Sequence, residues 1–346
     1  ETADLRKRVE ELEEKQAELY HSRAEKRMPG LFKEVAEMLT IGGLVEVEAY
    51  ADETKMVGMK TNRDSDIVLA TVEVGIDAEV HEYVNAHVLL LWEEDDTEMV
   101  VVDEGIITIT SPYGASVAAG RMYVPFGAFN SHMISDPMTV DLGETGESSV
   151  MLGFEHQYVS IFAGVFNGHV DEADDREFRD DFYGAVNITP IEGVSVGAYY
   201  ISNIAESDSD ITGHEAAGTT MMSQVAGVGG YVSLEFGPIM AEGEYLAATE
   251  DFHSADLDAN GDGKGDHPKT WNLELAVAPH ERIEVAARYE GSDEFFGFPD
   301  SRYGGAVSVS LFPNVGLALE FLYSDFEKNN GDGSVKTGTA QLGVEF

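Results

Sequence analysis

The sequence predicts an all-β protein, a 16-stranded antiparallel transmembrane β-barrel that follows an N-terminal α-helical coiled coil. From residue 38 onward, apolar residues alternate with polar or small residues in sixteen segments, the period of a strand with two unlike faces. Short turns and long polar loops follow one another between these segments, as in a barrel inserted through a membrane in one direction. The last segment, Lys336 to Phe346, keeps the alternation to its aromatic end.

Composition narrows the function classes. The 346 residues include no Cys, which excludes disulfides, thiolate metal sites and a Cys nucleophile. The 65 acids against 21 bases argue against nucleic acid as a partner, because phosphate binding needs a basic face. No G-x-S-x-G motif occurs and the ten His have no ligand spacing with one another, so we expect neither an enzyme nor a histidine metal site.

Residues 1–37 form the first predicted domain, a periplasmic coiled-coil helix and linker. The chain begins on Glu1, from which we expect a mature protein whose leader has been removed. Residues 3–27 contain no Gly or Pro and carry a heptad seam, which predicts a short coiled coil rather than a lone solvated helix. Three heptads need partner copies, and we expect a homotrimer because a large barrel interface would override so short a seam. The oligomerisation residues are Leu5, Val9, Leu12, Gln16 and Leu19.

Residues 38–346 form the second predicted domain, the outer-membrane barrel. Segments of 10–15 residues exceed the usual length of soluble strands and suit tilted membrane strands. Sixteen strands imply an open aqueous lumen. The alternative, a soluble β-sandwich or propeller, would not need aromatic residues near its strand ends. The predicted strands are about 40–52, 65–79, 82–93, 98–111, 115–124, 148–157, 158–167, 181–189, 192–204, 223–236, 238–251, 269–279, 281–291, 302–312, 314–326 and 336–346.

The ends of these strands indicate the orientation. Tyr50, Trp92, Trp271, Tyr289 and Tyr323 lie near strand ends, as in the aromatic girdles of membrane barrels. An even strand count places both ends of the barrel on the side of the short turns. We therefore expect that side, and the N-terminal helix, to be periplasmic.

One stretch carries a family resemblance. Gly120 to Met133 reads G-R-M-Y-V-P-F-G-A-F-N-S-H-M. It resembles the G-R-x-x-x-P-F-G segment of phosphate-selective-type and related sixteen-stranded porins, where the segment leads into a third loop that folds into the pore. The overall architecture, a coiled coil followed by an acidic barrel that ends in Phe, resembles the LbtU-type siderophore porin family. The barrel has only 13 bases, so phosphate selectivity is not implied.

The expected functional object is a pore whose chemistry is fixed charge on its wall and constriction. The third loop (residues 125–147) is the predicted constriction, and the polar partners of the alternating strands are predicted to face the lumen. Acids on the loop opposite an Arg on the wall would set up a transverse field, and the excess of acids predicts a preference for cations. The predicted pore and constriction residues are Arg121, Asp136, Asp141, Glu144, Glu147, Glu155, Glu242, Glu244, Glu274, Arg288 and Glu320, with Glu46, Glu48 and Glu73 also inward.

A second segment resembles a calcium loop. Oxygen-bearing residues alternate along 256–266 with a Gly at the sixth position, although the twelfth position is His267 rather than Glu. The alternative is a plain acidic, Gly-rich loop. No cofactor is required for the predicted function, and the predicted Ca²⁺ ligands are Asp256, Asp258, Asn260, Asp262 and Asp266.

These observations predict a porin in the outer membrane of a Gram-negative cell, with its N-terminus in the periplasm. Its partners would be outer-membrane lipid and lipopolysaccharide, two further copies of itself, and small hydrophilic solutes or cations. Uptake of iron-siderophores is the specialised alternative implied by the resemblance. A structural alternative is a barrel that tethers the envelope through its coiled coil or binds calcium at the cell surface.

Overall fold

A computed structural model describes residues 38–94, 97, 99–172, 181–213, 220–327 and 331–346. The predicted coiled coil, with Leu5, Val9, Leu12, Gln16 and Leu19, lies outside the described residues. The described barrel begins with the first strand at Leu39, close to the predicted domain boundary at residue 38.

The prediction of a closed 16-stranded antiparallel barrel is confirmed. Every barrel strand pairs antiparallel with its neighbours, and the first strand pairs with the last. A separate pair, β8 (Asp171–Glu172) and β11 (Thr220–Met221), is parallel. The barrel strands are β1 Leu39–Met56, β2 Asn62–His81, β3 Val84–Trp92, β4 Val101–Thr110, β5 Ala115–Tyr123, β6 Gly146–His156, β7 Val159–Phe166, β9 Asp181–Ile191, β10 Val194–Ile201, β12 Gly227–Phe236, β13 Ile239–Ala248, β14 Lys269–His280, β15 Ile283–Asp293, β16 Ser301–Phe312, β17 Val315–Phe326 and β18 Gly333–Glu345.

The C-terminal residue takes part in the closure between β18 and β1. The amide of Phe346 donates to the carbonyl of Gly43 at 3.0 Å, and the amide of Gly43 donates to the carbonyl of Phe346 at 2.9 Å. A Cβ atom on Gly43 would lie 2.5 Å from the Phe346 ring, so the glycine leaves the space that the ring occupies. The alternating C-terminal segment therefore forms the seam of the barrel.

The strand ends differ from the predictions by a few residues, and one turn shows why. The predicted strands 181–189 and 192–204 place a turn at residues 190–191, but β9 continues through Pro190 and the chain reverses at Glu192 and Gly193. Gly193 has φ +76°, a left-handed conformation that Gly adopts readily. Proline indicated the end of the strand, and the glycine forms the turn.

Alternate side chains along each strand face either the outside or the interior of the barrel. On β14, Leu273 and Leu275 point outward and are more than half exposed, whereas Asn272 and Glu274 point inward and are buried. The outward positions of the other strands are also apolar, with Tyr303, Leu319 and Phe321 about half exposed. Across the described residues, no helix combines the length and apolar character that crossing a lipid bilayer requires.

One half of the barrel interior is filled. The third loop enters the barrel and contains a short helix, α1 (Met138–Gly143), and its last two residues begin β6. Apolar side chains of this loop, of β7 to β13 and of the long loops above them form one buried cluster. Its fully buried members include Phe126, Leu142, Ile201, Ile204 and Leu246.

Candidate channel and constriction

The third loop is held against the inner wall of β13 to β17 by hydrogen bonds to its backbone. Glutamates on inward positions of these strands accept the loop's amide N–H groups. Charged acceptors make stronger hydrogen bonds than neutral ones, and here they satisfy partly buried peptide groups. The bonds are Ala128 N to Glu244 at 2.6 Å, Phe129 N to Glu244 at 3.1 Å, His132 N to Glu274 at 2.7 Å, Ile134 N to Glu320 at 2.8 Å and Met138 N to Glu290 at 2.7 Å.

Glu244 anchors the first part of the loop. Besides the two amides, its carboxylate accepts from the Thr139 hydroxyl at 2.8 Å and from the Tyr199 hydroxyl. Phe129 has φ +52°, a left-handed conformation that a residue with a large side chain rarely adopts. Glu244 accepts from the consecutive amides of Ala128 and Phe129 and so stabilises this bend.

Two arginines bind the carbonyl side of the same loop. Arg288 donates to Glu274 at 2.7 Å, to the Ser131 hydroxyl at 2.6 Å and to the Asp136 carbonyl at 3.1 Å. Arg302 donates to the same carbonyl at 2.9 Å and pairs with Glu290. The side chains of Arg288, Glu274 and Glu290 are fully buried, so each charge depends on its partners in this network.

The opposite half of the interior is open. A cavity of about 670 Å³ lies between the third loop and the wall formed by β18 and β1 to β5. Eight carboxylates line it, and no basic side chain does so among the described residues. The acids are Glu46, Glu48, Glu73, Glu93, Asp103 and Glu104 on the wall side and Asp136 and Glu144 on the loop side.

This cavity continues toward the short turns. A second cavity of about 500 Å³ is lined by the turns after β14 and β16, and it shares Leu44, Glu46 and Gln341 with the first. The two cavities therefore meet at the β18–β1 seam. The lining of the second cavity includes basic groups, His280 and Arg282, beside Glu281, Glu284 and Glu345.

The acids of the third loop lie close together, and enclosure affects their ionisation. Burial, with help from Asp208 and Asp136, raises the pKa of Glu144 to about 7. Burial raises the pKa of Asp141 to about 6, although Arg302 opposes this rise. Asp136 is exposed to the cavity but enclosed by loop and wall, and this desolvation raises its pKa as well. The charge of the loop therefore changes within the neutral pH range.

The predicted pore residues occupy four places. Asp136 and Glu144 line the cavity, and Asp141 lies half-buried on α1. Arg121 and Glu155 are exposed on β5 and β6, outside the cavity lining, and Glu147 lies at the start of β6. The remaining five, which anchor the loop or lie between it and the wall, are Glu242, Glu244, Glu274, Arg288 and Glu320.

Two features of the lining were missed by sequence reasoning. Glu93, Asp103 and Glu104 line the cavity but lie at or near irregular pairing, where alternation is broken. The predicted transverse field needs an Arg facing the loop acids across water, but Arg288 is buried in the network described above. Both sides of the described lining are instead acidic.

Oxygen atoms of the predicted calcium ligands accept hydrogen bonds from amide groups. The Asp256 carboxylate accepts from the Met222 amide, away from the loop. Asp258 accepts from the amides of Asp262 and Gly263, and Asp266 accepts from Ala259 and Asn260. These are bonds within a tight acidic turn. Calcium binding by this loop stays a prediction.

Comparison of sequences finds relatives without an assigned activity. No family model matches the chain. It is 24% identical over 298 residues to a UPF0422 protein of Coxiella burnetii, an alignment that covers 80% of this chain and 62% of the relative. It is 24% identical over 296 residues to a UPF0422 protein of Legionella pneumophila, covering 75% of this chain and 54% of the relative. The chain thus spans less than two thirds of the length of these relatives.

Comparison of structures finds the same barrel in solved proteins of very different sequence. The outer-membrane channel DcaP of Acinetobacter baumannii superposes with a TM-score of 0.63 at 9% identity, covering 89% of this chain and 97% of DcaP. OmpF of Salmonella typhi gives 0.60 at 9% identity, with the same coverage of both chains. OmpT of Vibrio cholerae, an outer-membrane protein, gives 0.58 at 14% identity, also covering 89% and 97%. At these identities the likeness establishes the fold.

Proposed function

We propose that this protein is an outer-membrane porin through which small hydrophilic solutes diffuse passively, with a preference for cations. The observation that carries the proposal is the cavity beside the third loop, whose described lining contains eight carboxylates and no basic side chain. Fixed charges of one sign in a narrow, low-dielectric passage raise the local concentration of the opposite ions. The acidic lining therefore attracts cations and repels anions.

The outward surface and the structural likenesses support the location. The outward strand positions are apolar, which suits contact with lipid, and lipopolysaccharide is the expected neighbour at the long-loop side. DcaP is an outer-membrane channel, and its barrel superposes on this one. The short turns then face the periplasm, and the N-terminal segment enters β1 from that side.

A trimer is the proposed assembly. OmpT of Vibrio cholerae has been solved in a trimer form, and its barrel resembles this one with a TM-score of 0.53. Light scattering of the detergent-solubilised protein, coupled to size exclusion, tests the assembly directly. A mass of one chain after correction for detergent would contradict it.

The alternative functions have less support from the described residues than passive diffusion has. Iron-siderophore uptake follows from the LbtU-type resemblance, and envelope tethering follows from the predicted coiled coil; neither has specific support in the part of the chain that the structure describes. Calcium binding by residues 256–266 would be an addition to the porin function, detectable by calorimetry as heat on adding Ca²⁺ to the solubilised barrel. Passive diffusion of cations is the function that the cavity supports best.

Reversal potentials in planar bilayers test the proposal. With a tenfold KCl gradient across a membrane that contains the purified full chain, we expect a potential of the sign that K⁺ permeation produces. A potential of the opposite sign would overturn the cation preference. Absence of any conductance from correctly folded protein would overturn the porin assignment itself.

A further inference from the structure

Three ionisable side chains meet at the long-loop end of the barrel, away from the channel lining. They are Glu147 at the start of β6, His169 in the loop after β7, and Glu206 in the 3₁₀ turn Ile204–Glu206 after β10. Each comes from a different long-loop connection, so their spacing in sequence, 22 and 37 residues, gives no motif. Folding alone brings them together.

The geometry is that of converging donor atoms. One potential ligand atom of each residue lies within 4.8 Å of the other two, and the imidazole Nδ1 of His169 already contacts the Glu147 carboxylate. Glu147 and Glu206 are 5% and 3% exposed, whereas the His169 side chain is 64% exposed. The cluster therefore has two buried carboxyl ligands and one accessible imidazole ligand at its open side.

The Glu206 carboxylate is fixed in place by neighbours. It accepts from the amides of His169 at 2.7 Å and Val170 at 3.0 Å and from the Asn203 side chain at 3.2 Å. A Cβ atom on Gly168 would lie 2.3 Å from this carboxylate, so the glycine permits the close approach. Hydrogen bonds of this kind orient the ligands of metal sites and raise their affinity.

We propose that Glu147, His169 and Glu206 form a binding site for a divalent transition-metal ion, with Zn²⁺ as the representative ion. Two carboxylates and an imidazole are ligands that Zn²⁺ favours, and a water would complete four-coordination on the exposed side. The inclusion of imidazole distinguishes the site from one for Ca²⁺ or Mg²⁺, which prefer oxygen ligands throughout.

A bound ion would add a direct link to the hydrogen bonds that already join these three connections. It would tie the end of the third loop, through Glu147, to the loops after β7 and β10. The expected consequence is a mouth that is more resistant to heat and to proteases with Zn²⁺ than without it. The cavity lined by the eight carboxylates does not include these three residues, so failure of one proposal would leave the other intact.

Titration calorimetry of the detergent-solubilised full chain with Zn²⁺ tests the site. We expect one high-affinity equivalent in the wild type, and weakening by at least about 10-fold in both His169→Gln and Glu147→Gln, since even outer-shell changes cost 10- to 100-fold in affinity. His156→Gln is the matched control, because His156 is an exposed histidine at the opposite, short-turn end of β6 and should leave binding unchanged. A difference in SDS-gel migration between unheated and heated samples verifies that each variant has folded.

Three outcomes would overturn the proposal. They are absence of tight binding in the wild type, equal affinity in His169→Gln and wild type, and equal weakening by His156→Gln. X-ray absorption at the zinc edge of the loaded wild type provides a readout that does not depend on any variant. It should show one imidazole among oxygen ligands, and an all-oxygen shell would contradict the assignment.

Discussion

The two halves of the barrel interior use the same residue type for different purposes. Along β13 to β17, inward glutamates such as Glu244 and Glu274 are buried and bind the peptide groups of the third loop. Along β18 and β1 to β5, inward glutamates such as Glu46 and Glu73 face a water-accessible cavity. The first half therefore uses carboxylates to build structure, and the second uses them to set charge. What a glutamate does in this barrel depends on which side the loop occupies.

The largest effect is expected in the filled half, from Arg288→Met. Loss of the guanidinium leaves Glu274 buried without its compensating charge and leaves Glu290 with Arg302 alone, which should lower the free energy of unfolding by about 3–5 kcal/mol. Urea unfolding of the barrel in detergent micelles measures it. Arg63→Met is the control, because it removes an exposed pair with Glu53 and should cost far less, as exposed ion pairs do. Equal costs for the two variants would remove the distinction between the halves.

A smaller effect is expected from Glu244→Gln in the same half. In the wild type, the Glu244 carboxylate accepts from the amides of Ala128 and Phe129 and from the Thr139 hydroxyl. The glutamine NH₂ group cannot accept, so one of these donors loses its partner, and a buried unpaired group costs about 1–3 kcal/mol. Because the first part of the third loop loses its anchor, single-channel conductance should also rise and become noisier. The matched change Glu192→Gln, on an exposed short turn, should alter neither quantity. Unchanged conductance in Glu244→Gln would mean that the loop is held by other contacts.

The open half should respond in selectivity rather than stability. Replacing Glu46, Glu73 and Glu104 together by Gln removes three of the eight carboxylates of the cavity. The ratio of cation to anion permeability should fall by about twofold, because the local potential scales with the fixed charge. The free energy of unfolding should change by less than about 0.5 kcal/mol for each residue, as expected at solvated sites. Glu155→Gln, outside the cavity, is the control; a fall in selectivity there would shift the filter elsewhere.

The smallest predicted effect is a pH dependence at the boundary between the halves. Glu144 has a pKa of about 7 and Asp141 one of about 6, both raised by burial, so both are largely neutral at pH 5 and ionised at pH 8. Cation preference should increase as pH rises from 5 to 8, because the third loop gains negative charge. Glu144→Gln should remove the part of this change centred near pH 7, as measured by reversal potentials at stepped pH. A preference that falls with rising pH would contradict this assignment of charge.

The barrel itself could be predicted because alternation is a local property. Leu273 and Glu274 occupy opposite faces whatever surrounds them, so the strands follow from the sequence, and the third loop follows from the G-R-x-x-x-P-F-G resemblance. Turn positions were less certain, because Pro190 and Gly193 both indicate a break and only the glycine adopts the required positive φ. A strand is therefore indicated by a pattern along its whole length, whereas the position of a turn depends on one or two residues.

The division of the interior could not be predicted in the same way. Glu73 and Glu274 have equivalent local patterns, and only the path of the third loop separates a solvated acid from a buried one. One signal was available and unused: inward positions on β9, β10 and β13 carry Tyr183, Tyr199 and Leu246, which are too apolar for a water-filled wall. Those residues indicate the side against which the loop packs. The meeting of Glu147, His169 and Glu206 carried no such signal.

The third loop is held by its backbone, so its path and its side-chain chemistry depend on different groups. The wall binds the loop mostly through peptide N–H and C=O groups, which every residue except proline can supply. Side chains such as that of Asp136 can therefore be exchanged while the path of the loop is kept. In the proposed channel, the wall would set the position of the third loop, and its exchangeable side chains would set the charge at the constriction. Related barrels could diversify their permeants, and engineers could reprogram them, without redesigning the frame.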